Sequence, residues 1–295
     1  MSLPTLRSSD VAVIALWFCA LQPLAGSPLL PRYWRMLHAQ EQTQYLRLRR
    51  PADRLRYLVT RALVRTVLSE QAAVLPEQWQ FGHTPHGKPV VTGPAGLPAG
   101  LDFSVSHTDE LIVLALHRQG SVGVDAERWQ GRTPPFEVTP VLLTPAEQQA
   151  LSSLPACDQA LRFFQYWSLK EAYVKALGMG LSHPLTAFSF RFDSPGALQF
   201  FSDEGGGVCG GARWCFWQLE VQGHCIAVCA DVAGQPPALQ ARMAQPLQGS
   251  TPLELCVAWS TDTCSTATPA ILGATSCMGL GAIKKRSCQR LIVKR

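Results

Sequence analysis

Apolar and polar positions follow two rhythms along this chain, and the changes of rhythm mark its elements. Residues 11–21 (VAVIALWFCAL) are apolar almost throughout, as in a strand buried on both faces. Arg7 before the run and Ala25-Gly26-Ser27 after it imitate a secretory leader, but Asp10 abuts the run and a buried strand is preferred. Over residues 45–69 the period becomes three and four. Leu55, Leu58, Val59, Ala62, Leu63 and Val67 form one helical stripe, with Asp53 placed to cap it. Residues 102–106 and 111–116 then form a hairpin around the polar tip His107-Thr108-Asp109-Glu110, and Gly120 turns the chain into a third strand over 121–126.

The second part of the chain repeats this order. Thr144, Pro145 and Glu147 are a cap, a first helical residue and the closure of a capping box for a helix over 143–151. In residues 163–181 (FFQYWSLKEAYVKALGMGL), Phe163, Tyr166, Leu169, Tyr173, Ala176 and Leu177 form a core stripe, with Ser168, Glu171 and Lys175 assigned to the opposite side and Gly178 and Gly180 ending the helix. A strand near 187–192, a glycine-rich turn near 205–211 and a hairpin of 214–221 with 225–232 follow. The expectation is an α+β fold: two similar halves, 1–119 and 120–234, in one chain with pseudo-twofold symmetry and a cleft between the lobes. From residue 235 the rhythm fails in Ser, Thr, Pro, Gly and Cys, which predicts a poorly ordered tail over 235–295.

Composition adds exclusions. Hydrophobic residues make up 47% and charged residues 16%, a globular balance. The net charge of +5 suggests a polyanion partner, yet seven basic and two acidic residues after position 235 account for all of it. The arginine-rich helix lacks the aromatic platform of a nucleic-acid binder, and no apolar stretch reaches the length of a membrane span. The ten cysteines show no zinc or redox spacing and read as reduced thiols of a cytoplasmic protein.

Candidate chemistry begins with Asp125 and Glu127, which project to one side of a strand within reach of one cation. Hard oxygen ligands of this kind suit Mg²⁺, which keeps waters and substrate phosphate as its remaining ligands. Glu171 and Lys175, one helical turn apart, face one ligand together or form an ordinary surface ion pair. Gly87 beside Lys88, with Pro89 stiffening the exit, is a ligand loop or a plain turn. His107 alone would be an exposed tip residue.

Four separated stretches, HGKPVV (86–91), FSVSHT (103–108), VGVDAE (122–127) and WSLKEAYVKALGMGL (167–181), resemble the 4'-phosphopantetheinyl transferases of the broad-specificity, surfactin-synthetase type. The likeness covers roughly residues 10–233 and leaves the tail out. It implies an enzyme of the holo-[acyl-carrier-protein] synthase kind: a monomer that moves phosphopantetheine from coenzyme A, as substrate, to a serine of an apo acyl or peptidyl carrier protein. Adenosine 3',5'-bisphosphate leaves, and neither nucleic acid nor membrane takes part. By resemblance, Asp125, Glu127 and Glu171 bind Mg²⁺ and Lys175 contacts the diphosphate. Lys88, Ser106 and His107 hold the nucleotide end, with Pro89 beside them, and Arg56 aligns with a basic position. Where the family carries a cation before that helix the chain reads Glu41-Gln42-Thr43-Gln44, and Arg47 is the candidate substitute. The chemistry agrees, with Glu171 as base and Asp125 and Lys175 at the reacting diphosphate. The alternative is a non-catalytic coenzyme A or nucleotide-binding module.

Overall fold

The computed structural model describes residues 12–95, 100–193, 196–202, 214–232 and 236–261. Strand β1 (Val13–Ala20) leads into helices α1 (Leu30–Arg35), α2 (Ala39–Arg47) and α3 (Pro51–Gln71), and then strands β2 (Gln80–His83), β3 (Pro89–Gly93), β4 (Asp102–His107) and β5 (Leu111–His117). Strand β6 (Val122–Arg128) precedes helices α4 (Thr139–Leu142), α5 (Pro145–Ser152) and α6 (Ala156–Leu177). Strands β7 (Phe188–Phe192), β8 (Leu198–Ser202), β9 (Trp214–Val221), β10 (His224–Asp231), β11 (Ala238–Gln245), β12 (Gly249–Leu253) and β13 (Val257–Ser260) complete an α+β architecture.

Two sheets carry the fold, one ordered β12-β11-β1-β5-β4 and the other β13-β9-β10-β6. Their inner faces pack on each other: Ile14, Leu16 and Phe18 of β1 and Val113 of β5 meet Val122 and Val124 of β6 and Ile226 and Val228 of β10. The outer faces are covered by helices. Trp17 and Cys19 of β1 pack with Leu58, Ala62 and Leu63 of α3, while Cys225 and Ala227 of β10 pack with Phe163, Leu169 and Ala172 of α6. The layers therefore run helix, sheet, sheet, helix. Both faces of the central strands are buried, which is why residues 11–21 are apolar without alternation.

Several expectations change. Asp53 does not cap α3; Arg50 holds that position with Pro51 next, and Asp53 pairs with Arg56 at 2.7 Å in the first turn. Ser168 is fully buried between α6 and β9, where its hydroxyl donates to Gln165 O and accepts from Gln218 Nε2, because α6 is covered on more than one side. The stretch after 235 is not structureless up to residue 261. Strand β11 lies parallel to β1 from Val13↔Ala238 to Phe18↔Met243, and β13 extends the second sheet on β9. β11 lies between β1 and β12 but has mixed polarity, and β13 is a four-residue edge strand, so periodicity did not reveal them. Residues 262–295 and the glycine-rich turn at 205–211 lie outside the described residues.

Candidate active site

Strand β6 alternates its side chains between the two layers it separates. Val122, Val124 and Ala126 enter the core between the sheets, so Gly123, Asp125 and Glu127 must face α6. Gly123 is where the helix comes closest: a Cβ there would stand 1.9 Å from Ala172 O and 2.6 Å from the Ala176 nitrogen. Only a residue without a side chain lets α6 approach this far. Gly178, at φ +71°, ends α6 with its N–H donating to the Val174 carbonyl at 3.0 Å.

That approach brings Lys175 onto Asp125, with Nζ 2.6 Å from Oδ1. Ser106, at the end of β4, completes the group. Its hydroxyl donates to Asp125 Oδ1 at 2.9 Å, and its oxygen accepts from Lys175 Nζ at 3.1 Å and from the Ala126 N–H at 3.2 Å. The last of these bonds belongs to a series. Side-chain oxygens of Asp102, Ser104 and Ser106 on β4 accept the N–H groups of Val122, Val124 and Ala126 on β6, at 2.8, 3.1 and 3.2 Å. Alternate side chains of one sheet thus satisfy alternate backbone donors of the other.

Glu127 and Glu171 flank Asp125. Burial raises the Glu171 carboxyl above its ordinary range, the negative charge of Asp125 raises it further, and Lys175 opposes both. Glu127 is raised by the same two causes and held back by Arg132, whose Nη1 donates to Glu127 Oε2 at 2.9 Å. The guanidinium of Arg132 in turn lies 5.1 Å over the Phe164 ring. His107 lies exposed at the hairpin tip; the protein packed around its ring lowers its pKa, and the Arg56 and Lys175 cations lower it further. Arg56 reaches that tip by donating to Asp109 Oδ1 at 2.7 Å.

A cavity of about 260 Å³ opens beside this cluster, between the 86–89 turn, β4 and the end of α6, and Glu171, Lys175, Lys88 and Pro89 line it. The ammonium of Lys88 is engaged by Asp102 Oδ2 at 2.5 Å and by the Val122 and Ala176 carbonyls, so it ties three elements together. Arg47 does not line this cavity; it ends α2, exposed.

As the side chains stand, no three His, Cys, Asp or Glu groups among the described residues are gathered tightly enough to enclose a metal. The donor set nonetheless fits a hard divalent cation. Asp125 Oδ2 is buried with no hydrogen-bond partner, and its charge raises the pKa of both neighbouring glutamates, an excess of negative charge that a cation relieves. Burial pushes the thiols of Cys225 and Cys229, on the side of β10 that faces α6, well above the ordinary thiol range, so neither is a ready nucleophile.

Four structural contributors escaped the sequence reading. Gly123 stood in a quoted motif with no role assigned, and its signal is a small residue two places before the key carboxylate. Asp102 and Ser104 carried the period-two polar pattern of β4, which marks a strand whose side chains meet another backbone. Lys170 is fully buried, with Nζ 2.9 Å from Glu147 Oε2 and bonded to the Leu185 and Phe188 carbonyls. Glu147 also accepts from the Phe190 N–H and from Thr144, so one ion pair fixes α6 to α5 and β7. A lysine inside a helical core stripe is the sequence signal for such a pair.

Both parts of the chain match models of known protein families. Residues 121–229 match the model of the 4'-phosphopantetheinyl transferase superfamily, and residues 29–119 match the model of a 4'-phosphopantetheinyl transferase N-terminal region. A Synechocystis sp. relative named for that transferase activity is 31% identical over 167 residues, covering 57% of this chain and 65% of the relative. A phosphopantetheinyl transferase of Thraustochytrium sp. is 31% identical over 180 residues, 57% of this chain and 62% of that protein. Against these two, the chain spans less than two thirds of the relative's length. The 4'-phosphopantetheinyl transferase Sfp of Bacillus subtilis is 28% identical over 169 residues, 57% of this chain and 71% of Sfp. The two matched regions adjoin and meet next to Gly120, at the turn between the sheets, and the chain belongs to the 4'-phosphopantetheinyl transferase superfamily.

Proposed function

We propose that this protein transfers the 4'-phosphopantetheine group of coenzyme A to a serine hydroxyl of an apo acyl or peptidyl carrier protein, releasing adenosine 3',5'-bisphosphate, in the manner of the broad-specificity members of its superfamily. The observation that carries this reading is the meeting of Lys175 with Asp125 at 2.6 Å, flanked by two glutamates whose pKa values are raised, at the edge of a cavity.

In this reaction the serine oxygen attacks the phosphorus that bears the pantetheine arm. A new P–O bond forms, the bridging P–O bond of the diphosphate breaks, and the bisphosphate departs with the electron pair. Glu171 takes the serine proton. Burial and Asp125 raise its pKa towards the working pH, where a base is most effective. Lys175, held in place by Ser106 and Asp125, supplies positive charge to the nonbridging oxygens as the leaving group separates. Arg56 and His107, near each other at the hairpin tip, suit the 3'-phosphate end, and the Lys88–Pro89 turn forms a wall of the nucleotide cavity. Asp125, Glu127 and Glu171 would hold a Mg²⁺, which when bound supplies charge stabilisation at the diphosphate.

The test is incubation of the protein with coenzyme A, Mg²⁺ and a panel of apo carrier proteins, followed by intact mass measurement. The expected result is a gain of one phosphopantetheine on a carrier serine. Coenzyme A binding without transfer to any carrier would support the non-catalytic alternative instead.

A further inference from the structure

A second recess, of about 810 Å³, lies among α1, α2 and α3 and shares no lining residue with the cavity beside Glu171. Its floor is apolar, built from Leu30, Trp34, Tyr45, Leu55 and Leu58, and Leu46 at its lip is 62% exposed. Trp34 and Tyr45 meet edge to face with centroids 5.0 Å apart, and the Arg54 guanidinium stands 5.7 Å from the Tyr45 ring centre. Trp, Tyr and Arg are the side chains that most often anchor interfaces.

The surround is cationic. Arg32 and Arg35 lie in the last turn of α1, and Arg47, Arg49 and Arg50 occupy the passage from α2 to α3; all five are exposed. Among the described residues neither these five nor Arg54 forms a salt bridge. The acids of α2 and of the first turn of α3 are engaged elsewhere, Glu41 with Arg61 and Arg65 and Asp53 with Arg56. Among the described residues no acidic side chain lines the recess. A concave apolar floor between helices excludes a flat bilayer, and a bare phosphate chain would leave its aromatic surface unused.

We propose that this recess docks an acidic amphipathic helix of a partner protein, its apolar stripe on Trp34, Tyr45 and Leu55 and its carboxylates facing the surrounding arginines. The proposal is independent of the transferase reading.

A fluorescent peptide of about 16 residues, with Leu at helical spacing and Glu on the other face, is titrated against the full chain and read by anisotropy. Saturable binding is expected, weakened at least tenfold by Leu46→Glu and by the double substitution R32E/R35E, with thermal unfolding unchanged in both. A peptide with Lys in place of Glu should not bind, and excess coenzyme A should not displace the acidic one. The proposal is overturned if the acidic peptide does not bind, if both variants bind it as the parent does, or if coenzyme A displaces it. It is also overturned if phosphatidylglycerol vesicles or polyphosphate bind more tightly than the peptide and lose affinity on the same substitutions, which would make the recess a lipid or polyanion surface.

Discussion

Replacing Gly123 with alanine tests the geometry on which the proposed chemistry depends. The added methyl carbon would sit 1.9 Å from Ala172 O and 2.6 Å from the Ala176 nitrogen, whereas a carbon meets an oxygen at about 3.3 Å or more. Strand β6 cannot yield, because Val122 and Val124 are locked in the core between the sheets. Helix α6 must therefore retreat by roughly 1.4 Å, which opens the 2.6 Å contact between Lys175 and Asp125 to about 4 Å. Overpacking of this kind costs about 1–3 kcal/mol, within the ~5–15 kcal/mol that holds a native fold. The variant should fold with its melting temperature lowered by roughly 3–10 °C. Catalysis should suffer more, since a misplacement of about 1 Å costs on the order of 10²-fold. Differential scanning calorimetry and the rate of carrier labelling by a fluorescent coenzyme A analogue measure the two effects. Parental stability together with parental rate would refute the close approach of α6 to β6.

Further expectations follow from the same geometry. Glu171→Gln and Asp125→Asn should each lower labelling by about 10²–10⁴-fold with circular dichroism unchanged, and full activity in both would remove them from the reaction. Lys170→Met leaves Glu147 buried without its cation and should destabilise by roughly 3–5 kcal/mol in urea unfolding; a change below 1 kcal/mol would mean the pair is dispensable. Glu127 and Glu171 have raised folded-state pKa values, so the native state binds more protons than the unfolded chain once the pH rises above 4.5, and stability falls as pH climbs through the raised values. Mg²⁺ should therefore raise the melting temperature more at about pH 7.5 than at about pH 5, and an equal rise at both would count against the carboxylates as its site.

Most elements, and the motifs that carry the candidate site, were legible because they lie where local pattern dominates. The capping box at Thr144 and Glu147, the glycine stop of α6 and the turn around His107 each depend on a few neighbouring residues, and all three occur as written in the chain. Long-range partners were not legible. Lys88 resembles a ligand residue in its loop, yet Asp102, fourteen positions later, holds its charge. Ser168 has helical spacing for a polar face, but the arrival of β9 buries it. β11 pairs with β1 at the other end of the described chain and β13 with β9 across the intervening β10, β11 and β12, and nothing in their own composition announces those pairings.

The row of oxygens from Asp102 through Ser104 to Ser106 links the joining of the two sheets to the building of the proposed centre. Each accepts from a fixed amide of β6, so sliding β4 against β6 by a single residue would break all three bonds together. The final member of the row also positions Lys175 and Asp125. A molecule whose two sheets are incompletely joined would therefore lose the whole row, and with it the placement of Lys175 and Asp125 on which the proposed chemistry depends.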